Sequence, residues 1–425
     1  MRSMMTRAPS EPVRPATPAG RLFNAEDFAV AELDAVAIWD RIIAMAVREQ
    51  ASDIHFTYQK DGLHTAVRLD GRLHNQGVLP AELGQRITNH VKVLARLDMG
   101  ERRRPQDGHF GLTLDGRPID LRVSVLPTNH GEAVAIRLLD REASTLPLEQ
   151  LGLTDFQLRD LRGMIEAPSG LILVTGATGA GKTTTLYAVL RALAHEHRKI
   201  ITVENPIEYD LPHVDQTQVN RKLGLDFPTL VRGVLRQDPN VIMIGEVRDG
   251  ETASAVVRAA NSGRLVLATT HAIHCGAALE SLIALGAHPH FIARCFRGAI
   301  AQTLVRRLCP YCTVALQETA DMRLMDEVLR RLGPEERPVL SLGRGCPHCR
   351  HTGYRGRIGV FEVLVGDDRL RTMISRGAAA REIYQAAVEA GMLSIQNAGK
   401  LAALRGLTTI EELMQNISEI WTGQE

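Results

Sequence analysis

Eight consecutive residues constrain this chain more than any others: Gly176-Ala177-Thr178-Gly179-Ala180-Gly181-Lys182-Thr183. The apolar stretch Leu171 to Thr175 precedes them, and the helix-compatible Thr184 to Leu193 follows. Glycines at three of the eight positions let the backbone turn tightly between strand and helix, so that successive N–H groups converge at the helix start. A loop of this kind cradles phosphate. Lys182 would reach β- and γ-phosphates as a point charge, and the Thr183 hydroxyl would ligate a Mg²⁺ that bridges them. The segment Gly176, Ala177, Thr178, Gly179, Ala180, Gly181, Lys182, Thr183 and Thr184 therefore predicts ATP and Mg²⁺ as ligands.

The surrounding pattern predicts the sheet such a loop requires. Apolar runs at Ile200 to Val203, Val241 to Ile244 and Leu265 to Thr269 alternate with helical segments at Asp155 to Ile165, Pro228 to Arg236 and Thr252 to Ala260. This is the signature of a largely parallel sheet wrapped by helices. Ligands bind such sheets at the carboxyl ends of the strands, so residues leaving those ends become site candidates. Glu246 follows the run ending at Ile244 and could orient a water or hold the metal shell. Glu204 and Glu208, in Glu204-Asn205-Pro206-Ile207-Glu208-Tyr209, offer two more carboxylates, either of which could act as general base. His271, after Leu265 to Thr269, could sense the γ-phosphate. His274 has no third ligand at a suitable spacing and is expected to be structural.

Six cysteines are present, and four form the pairs Cys309-Pro310-Tyr311-Cys312 and Cys346-Pro347-His348-Cys349. Each pair places two thiolates on one tight turn, and together they predict a closed, structural Zn²⁺ site. A helix is expected between the pairs, from Glu318 to Leu332. Cys275 and Cys295 stand alone and read as small buried hydrophobes.

A chain of 425 residues implies two or three compact units. The pattern predicts a flexible proline-rich leader over 1–30, an α/β domain over 31–140, a linker over 141–150 and the ATPase domain over 151–425. The last includes the cysteine insertion at 305–355 and a helical part at 366–425. A net charge of +1 excludes a whole-chain electrostatic pull toward nucleic acid or anionic lipid. No apolar stretch approaches the ~18 residues of a spanning helix, and no secretory signal is visible, so a cytoplasmic location is expected.

Taken in order, these motifs resemble the secretion ATPase superfamily that powers type II secretion and type IV pilus assembly. The likeness runs from about Ala51 to Leu413. Beyond the P-loop it includes Ala51-Ser52-Asp53-Ile54-His55, Glu101-Arg102-Arg103-Arg104-Pro105-Gln106-Asp107-Gly108, and Gly131-Glu132. It continues with Glu204 to Tyr209 (the aspartate box), Gly245-Glu246-Val247-Arg248-Asp249 (an atypical Walker B) and Gly263 to His271 (the histidine box). Gly353-Tyr354-Arg355-Gly356-Arg357 and Gly406-Leu407-Thr408-Thr409 complete it. Asn205 stands where the aspartate box usually has Asp, and the histidine box reads Thr270-His271-Ala272 instead of Leu-His-Thr.

The resemblance implies a RecA-like P-loop motor domain with a smaller PAS-like α/β N-terminal domain, a zinc-binding insertion and a helical C-terminus. It also implies a homo-hexamer whose nucleotide site is completed by Arg122 and Arg137 of the N-terminal domain, with Arg104 a third candidate. Such a ring would drive a polytopic inner-membrane platform protein and sit at the inner membrane through its partners. The stretch before Leu33 departs from the family pattern, in which many members carry an extra docking domain there, and no such domain is expected within it. A retraction or conjugation-type ATPase is the alternative within the same chemistry. A nucleic-acid translocase is the alternative outside it, disfavoured because aromatic residues make up only 4% of the chain and no basic stripe is interleaved with them, so no nucleic-acid partner is expected.

Overall fold

The computed structural model describes residues 20–24, 34–140, 146–194, 197–316, 326–333 and 336–417. Most of the expected leader, half of the expected linker, the start of the helix expected from Glu318 and the last eight residues of the chain lie outside the described residues. Two compact units are present, each with its own sheet.

In the first unit, apolar residues spaced three and four apart make the helix Ala35–Arg48, which Asp34 caps by accepting the Ala37 N–H at 2.7 Å. Its buried stripe is Ile38, Trp39, Ile42, Ile43 and Ala46. It packs beside the helix Ala81–Leu94. The strands are β1 (Asp53–Gln59), β2 (Gly62–Leu69), β3 (Arg72–Leu79), β4 (Gln106–Leu114), β5 (Arg117–Thr128) and β6 (Gly131–Asp140). They form one sheet in the order β3-β2-β1-β6-β5-β4, with β1 antiparallel to both β2 and β6. Ile54 and Phe56 of β1, and Leu63 and Val67 of β2, are fully buried, as the alternation requires. Lys92 is also fully buried. Its Nζ donates to Glu132 at 2.6 Å and to the Glu101 carbonyl at 2.9 Å, pinning the start of the loop that carries Arg102, Arg103 and Arg104.

The second unit is built on β7 (Gly170–Thr175), β8 (Ile200–Glu204), β9 (Asp215–Gln218), β10 (Val241–Ile244), β11 (Leu265–Thr269), β12 (Phe296–Leu308) and β15 (Tyr354–Val365). Between the last two lies a small antiparallel ribbon of β13 (Thr313–Ala315) and β14 (Ser341–Gly343). The large sheet runs β15-β12-β7-β11-β10-β8-β9, with neighbours parallel from β12 to β9 and β15 antiparallel at the edge. This is a RecA-like P-loop fold. Its central strands are apolar along their whole length because helices cover both faces. Leu171, Leu173, Ile242, Ile244, Val266 and Ala268 point into one core, against the helices Gly250–Asn261 and Cys275–Ala284. Ile172, Val174, Val241, Met243, Leu265 and Leu267 point into the other, against Asp155–Glu166 and Lys182–Leu193.

Four helices close the described chain: Asp368–Ser375, Ala380–Glu389, Ile395–Leu404 and Ile410–Asn416. The last is locked to β12 by the Gly406-to-Thr409 motif. Thr408 Oγ1 donates to the Arg306 carbonyl at 2.8 Å, Thr409 caps the helix by accepting the Glu412 N–H at 3.1 Å, and Glu412 accepts from Arg306 N–H at 3.0 Å and Nε at 2.9 Å. Two helix ends differ from the sequence reading. Of the segment expected to run to Leu332, the described part is helical over Asp326–Leu329, and Arg331 and Leu332 then bond back to Val328 and Leu329 in tightened turns. The helix expected to reach Arg236 ends at Val234 and continues as a 3₁₀ turn over Leu235–Gln237.

Candidate active site and metal centre

The P-loop leaves β7 at Thr175 and enters the helix Lys182–Leu193 through Gly181, whose φ of 86° lies in the left-handed region. Gly176 is required more strictly. Its φ is 144°, and a β-carbon there would fall 2.4 Å from the Gln302 carbonyl oxygen. The Thr185 N–H bonds back to the Gly181 carbonyl at 3.1 Å, so the amides of Lys182, Thr183 and Thr184, at the open start of the helix, can serve a ligand. Lys182 Nζ is folded onto the loop, donating to the carbonyls of Gly176 at 2.6 Å and Ala177 at 3.0 Å. Burial pushes its pKa below the usual lysine value, while Glu246 pulls it back up.

Glu246 lies two residues past β10 and is largely buried, with Oε2 2.7 Å from Arg248 Nη2. Backbone bonds hold this exit: the Gly245 N–H donates to Val203 at 2.8 Å and the Val247 N–H to Thr269 at 3.0 Å. Asp249 caps the next helix, accepting the Thr252 N–H at 2.8 Å. His271 is largely exposed, and its pKa is lowered by the partial desolvation of its ring, then by the charges of Lys182 and Arg248, with Glu246 opposing them. Lys182, Glu246 and His271 thus share one electrostatic neighbourhood at the carboxyl edge of the sheet. His274 is structural, as expected: its Nδ1 caps the helix Cys275–Ala284 by accepting the Ala277 N–H at 3.1 Å.

Glu204 takes another place. It is 3% exposed and accepts from Thr202 Oγ1 at 2.6 Å, from Gln216 Nε2 at 3.0 Å and from the Tyr187 hydroxyl. Tyr187 belongs to the helix that starts at the P-loop, so this buried carboxylate braces that helix. Glu208 is half-buried, and its N–H donates to the same tyrosine oxygen at 3.3 Å. Arg122 and Arg137 lie on β5 and β6 of the first unit. Arg137 Nε bonds Asp53 at 3.1 Å, directly across the β1–β6 ladder.

Two residues that hold the loop escaped the sequence reading. Gln302 of β12 donates to the Ala180 carbonyl at 2.7 Å. Thr175 Oγ1 donates to the Ala272 carbonyl at 2.8 Å and accepts its N–H at 2.7 Å, joining the P-loop strand to the histidine segment. A polar residue inside the apolar run Gly298 to Leu304 was the available signal for Gln302.

The four thiols of Cys309, Cys312, Cys346 and Cys349 lie within 4.8 Å of one another, where β12 ends and β15 begins. A tetrahedral Zn²⁺ with Zn–S bonds near 2.3 Å would set its sulfurs about 3.8 Å apart. Cys346 and Cys349 Sγ are 3.8 Å apart, too far for a disulfide and right for a shared ion. Backbone N–H groups of Cys346 and Gly353 donate to Cys349 Sγ at 3.2 and 3.3 Å, as suits a thiolate. The donor set fits a structural Zn²⁺. Cys275 and Cys295 are buried, and burial pushes both thiols up, Cys295 to about 12.

A RecA-like sheet with a P-loop at the exit of β7 and a carboxylate at the exit of β10 defines an ATP-hydrolysing P-loop NTPase. The sequence profile of the family described as "Type II/IV secretion system protein" matches residues 30–415, and the chain belongs to this family. It is 41% identical over 374 residues to "Type II secretion system protein HxcR" of Pseudomonas aeruginosa, covering 88% of this chain and 75% of that protein. It is 37% identical over 383 residues to "Type IV pilus assembly ATPase PilB" of Thermus thermophilus, covering 89% of this chain and 42% of that one. Among solved structures, the pilus retraction motor PilT with bound ADP superposes with a TM-score of 0.60 at 25% identity, over 90% of this chain and 97% of the other.

Proposed function

We propose that this chain is the ATP-driven motor of a type II secretion or type IV pilus assembly machine, acting in the cytoplasm as a homo-hexamer on an inner-membrane platform protein. The observation that carries the reading is the 41% identity across three quarters of a type II secretion protein, in a chain whose P-loop and tetracysteine geometry suit a motor subunit. No helix among the described residues is long and apolar enough to cross a membrane, so contact with the membrane would come through partners.

In this reading the amides of the P-loop and Lys182 hold the phosphates, and Thr183 would ligate Mg²⁺, which neutralises charge on the β- and γ-oxygens when bound. Glu246, at the strand exit, orients the attacking water. Glu204 holds the P-loop helix instead of taking a proton, and Glu208 remains the second candidate base. His271, whose protonation is opposed by partial desolvation and by the charges of Lys182 and Arg248, serves as a hydrogen-bonding sensor of the γ-phosphate. Arg122 and Arg137 spread charge over the transferring phosphoryl group.

A second reading, pilus retraction, draws on the likeness to PilT. Deleting the gene in its host and comparing secreted proteins with surface filaments tests both. Loss of a defined set of exported proteins supports secretion, loss of filaments supports assembly, and accumulation of unretracted filaments supports retraction. An unchanged surface and secretome would overturn the proposal.

A further inference from the structure

Glu362 is a fully buried carboxylate in the otherwise apolar run Val360 to Leu364 of β15. Such a group is tolerated only when its oxygens are hydrogen-bonded. Oε1 accepts the Cys275 N–H at 2.8 Å, and Oε2 accepts the Tyr384 hydroxyl at 3.1 Å and the Ile395 N–H at 3.3 Å. Cys275 and Ile395 are the first residues of the helices Cys275–Ala284 and Ile395–Leu404, and Tyr384 belongs to Ala380–Glu389. One anion thus meets the open amides and positive dipole ends of two helices and the hydroxyl of a third. Burial, with Glu362 beside them, keeps the Cys275 thiol and the Tyr384 hydroxyl protonated.

The position of this carboxylate gives it reach. The segment that carries His271 is fixed at Ala272 to Thr175, the last residue before the P-loop, and at Cys275 to Glu362. His274 in the same segment packs on Tyr384, with ring centroids 4.9 Å apart. Across the β12–β15 ladder Glu362 faces Ala301, and the next residue is Gln302, which holds Ala180 of the P-loop.

We propose that Glu362 is a positioning residue for hydrolysis: its carboxylate sets the Thr270 to His274 segment against the P-loop and makes that setting depend on the C-terminal helices. The inference rests on ATP turnover at the P-loop. Glu362→Gln keeps the shape but confronts one of the three donors with an amide N–H₂. It should lower kcat about tenfold while leaving the dissociation constant of a fluorescent ADP analogue within about twofold. Tyr384→Phe, which removes a single oxygen on a C-terminal helix, should lower kcat about threefold. The double variant should be no slower than Glu362→Gln alone, because both act through one contact. Should Glu362→Gln fail to fold, Tyr384→Phe carries the test. Unchanged kcat with only a lowered Tm would overturn the proposal as a merely structural contact. Equal losses of ADP binding and kcat would overturn it as general disruption of the loop. Failure of the underlying site reading looks different: full turnover by folded Lys182→Ala in the parent chain.

Discussion

Lys182 sits where its charge is disfavoured by burial and is held by two loop carbonyls, an arrangement suited to handing its donors to phosphate. Lys182→Ala should cut ATP turnover by about two to three orders of magnitude in a folded protein, measured as phosphate release. Glu246→Gln preserves shape and removes charge, so nucleotide binding should persist while turnover falls about a hundredfold. Unchanged turnover would move the base to Glu208. His271 offers a test independent of activity. The Lys182 cation disfavours its protonation, so Lys182→Met should raise the His271 pKa toward the usual histidine value, read by NMR titration of the imidazole. A pKa that stays put would place the two residues too far apart to share a phosphate.

At the scale of elements, the cysteine knuckles and the C-terminal helices each hold down one part of the β12–β15 arm. Elemental analysis of protein purified without added metal should find one zinc per chain. Chelation should speed amide exchange first over Cys309 to Ala315 and Ser341 to Gly353, leaving β7 and β10 protected, because metal binding and local folding are one equilibrium. Zinc-free protein with the same protection would remove the metal from the account. Arg306 lies 3.8 Å over the Tyr354 ring, and its buried partner Glu412 has a side chain only 3% exposed. Replacing Glu412 by Gln leaves a guanidinium buried without its counter-charge. Urea unfolding should show a loss of about 3 kcal/mol.

For the whole molecule, the informative question is where Arg122 and Arg137 act. They belong to one unit and the P-loop to the other. If they complete a neighbouring subunit's site, Arg122→Ala and Lys182→Ala chains, each inactive alone, should regain hydrolysis in mixed rings. Rings shown to be mixed yet still inactive would count against action between subunits. If Arg122 serves hydrolysis, Arg122→Ala should spare nucleotide affinity more than turnover, because the loop survives while transition-state charge goes unmatched, and equal losses would point to a structural role.

What the sequence determined by itself was local chemistry. The glycines, lysine and threonine of the P-loop, the apolar strands β10 and β11 with their bounds, Glu246 at a strand exit and the paired cysteines are all written in spacings of a few residues. At that range backbone geometry leaves little choice. Glu204 shows the limit of such reasoning. Its place at a strand exit suggested a base, but strand exits do not say which way a side chain faces, and here it turns inward to Tyr187. Tertiary structure alone decided the contacts that hold the loop. Gln302 reaches Ala180 across 122 residues of chain, Thr175 reaches Ala272 across 97, and Glu362 reaches Cys275 across 87. A buried polar residue in an apolar strand is visible as an anomaly in the sequence, because burying it unpaired would be costly. Its partner is not visible, because only the sheet order β15-β12-β7-β11 brings these distant segments together.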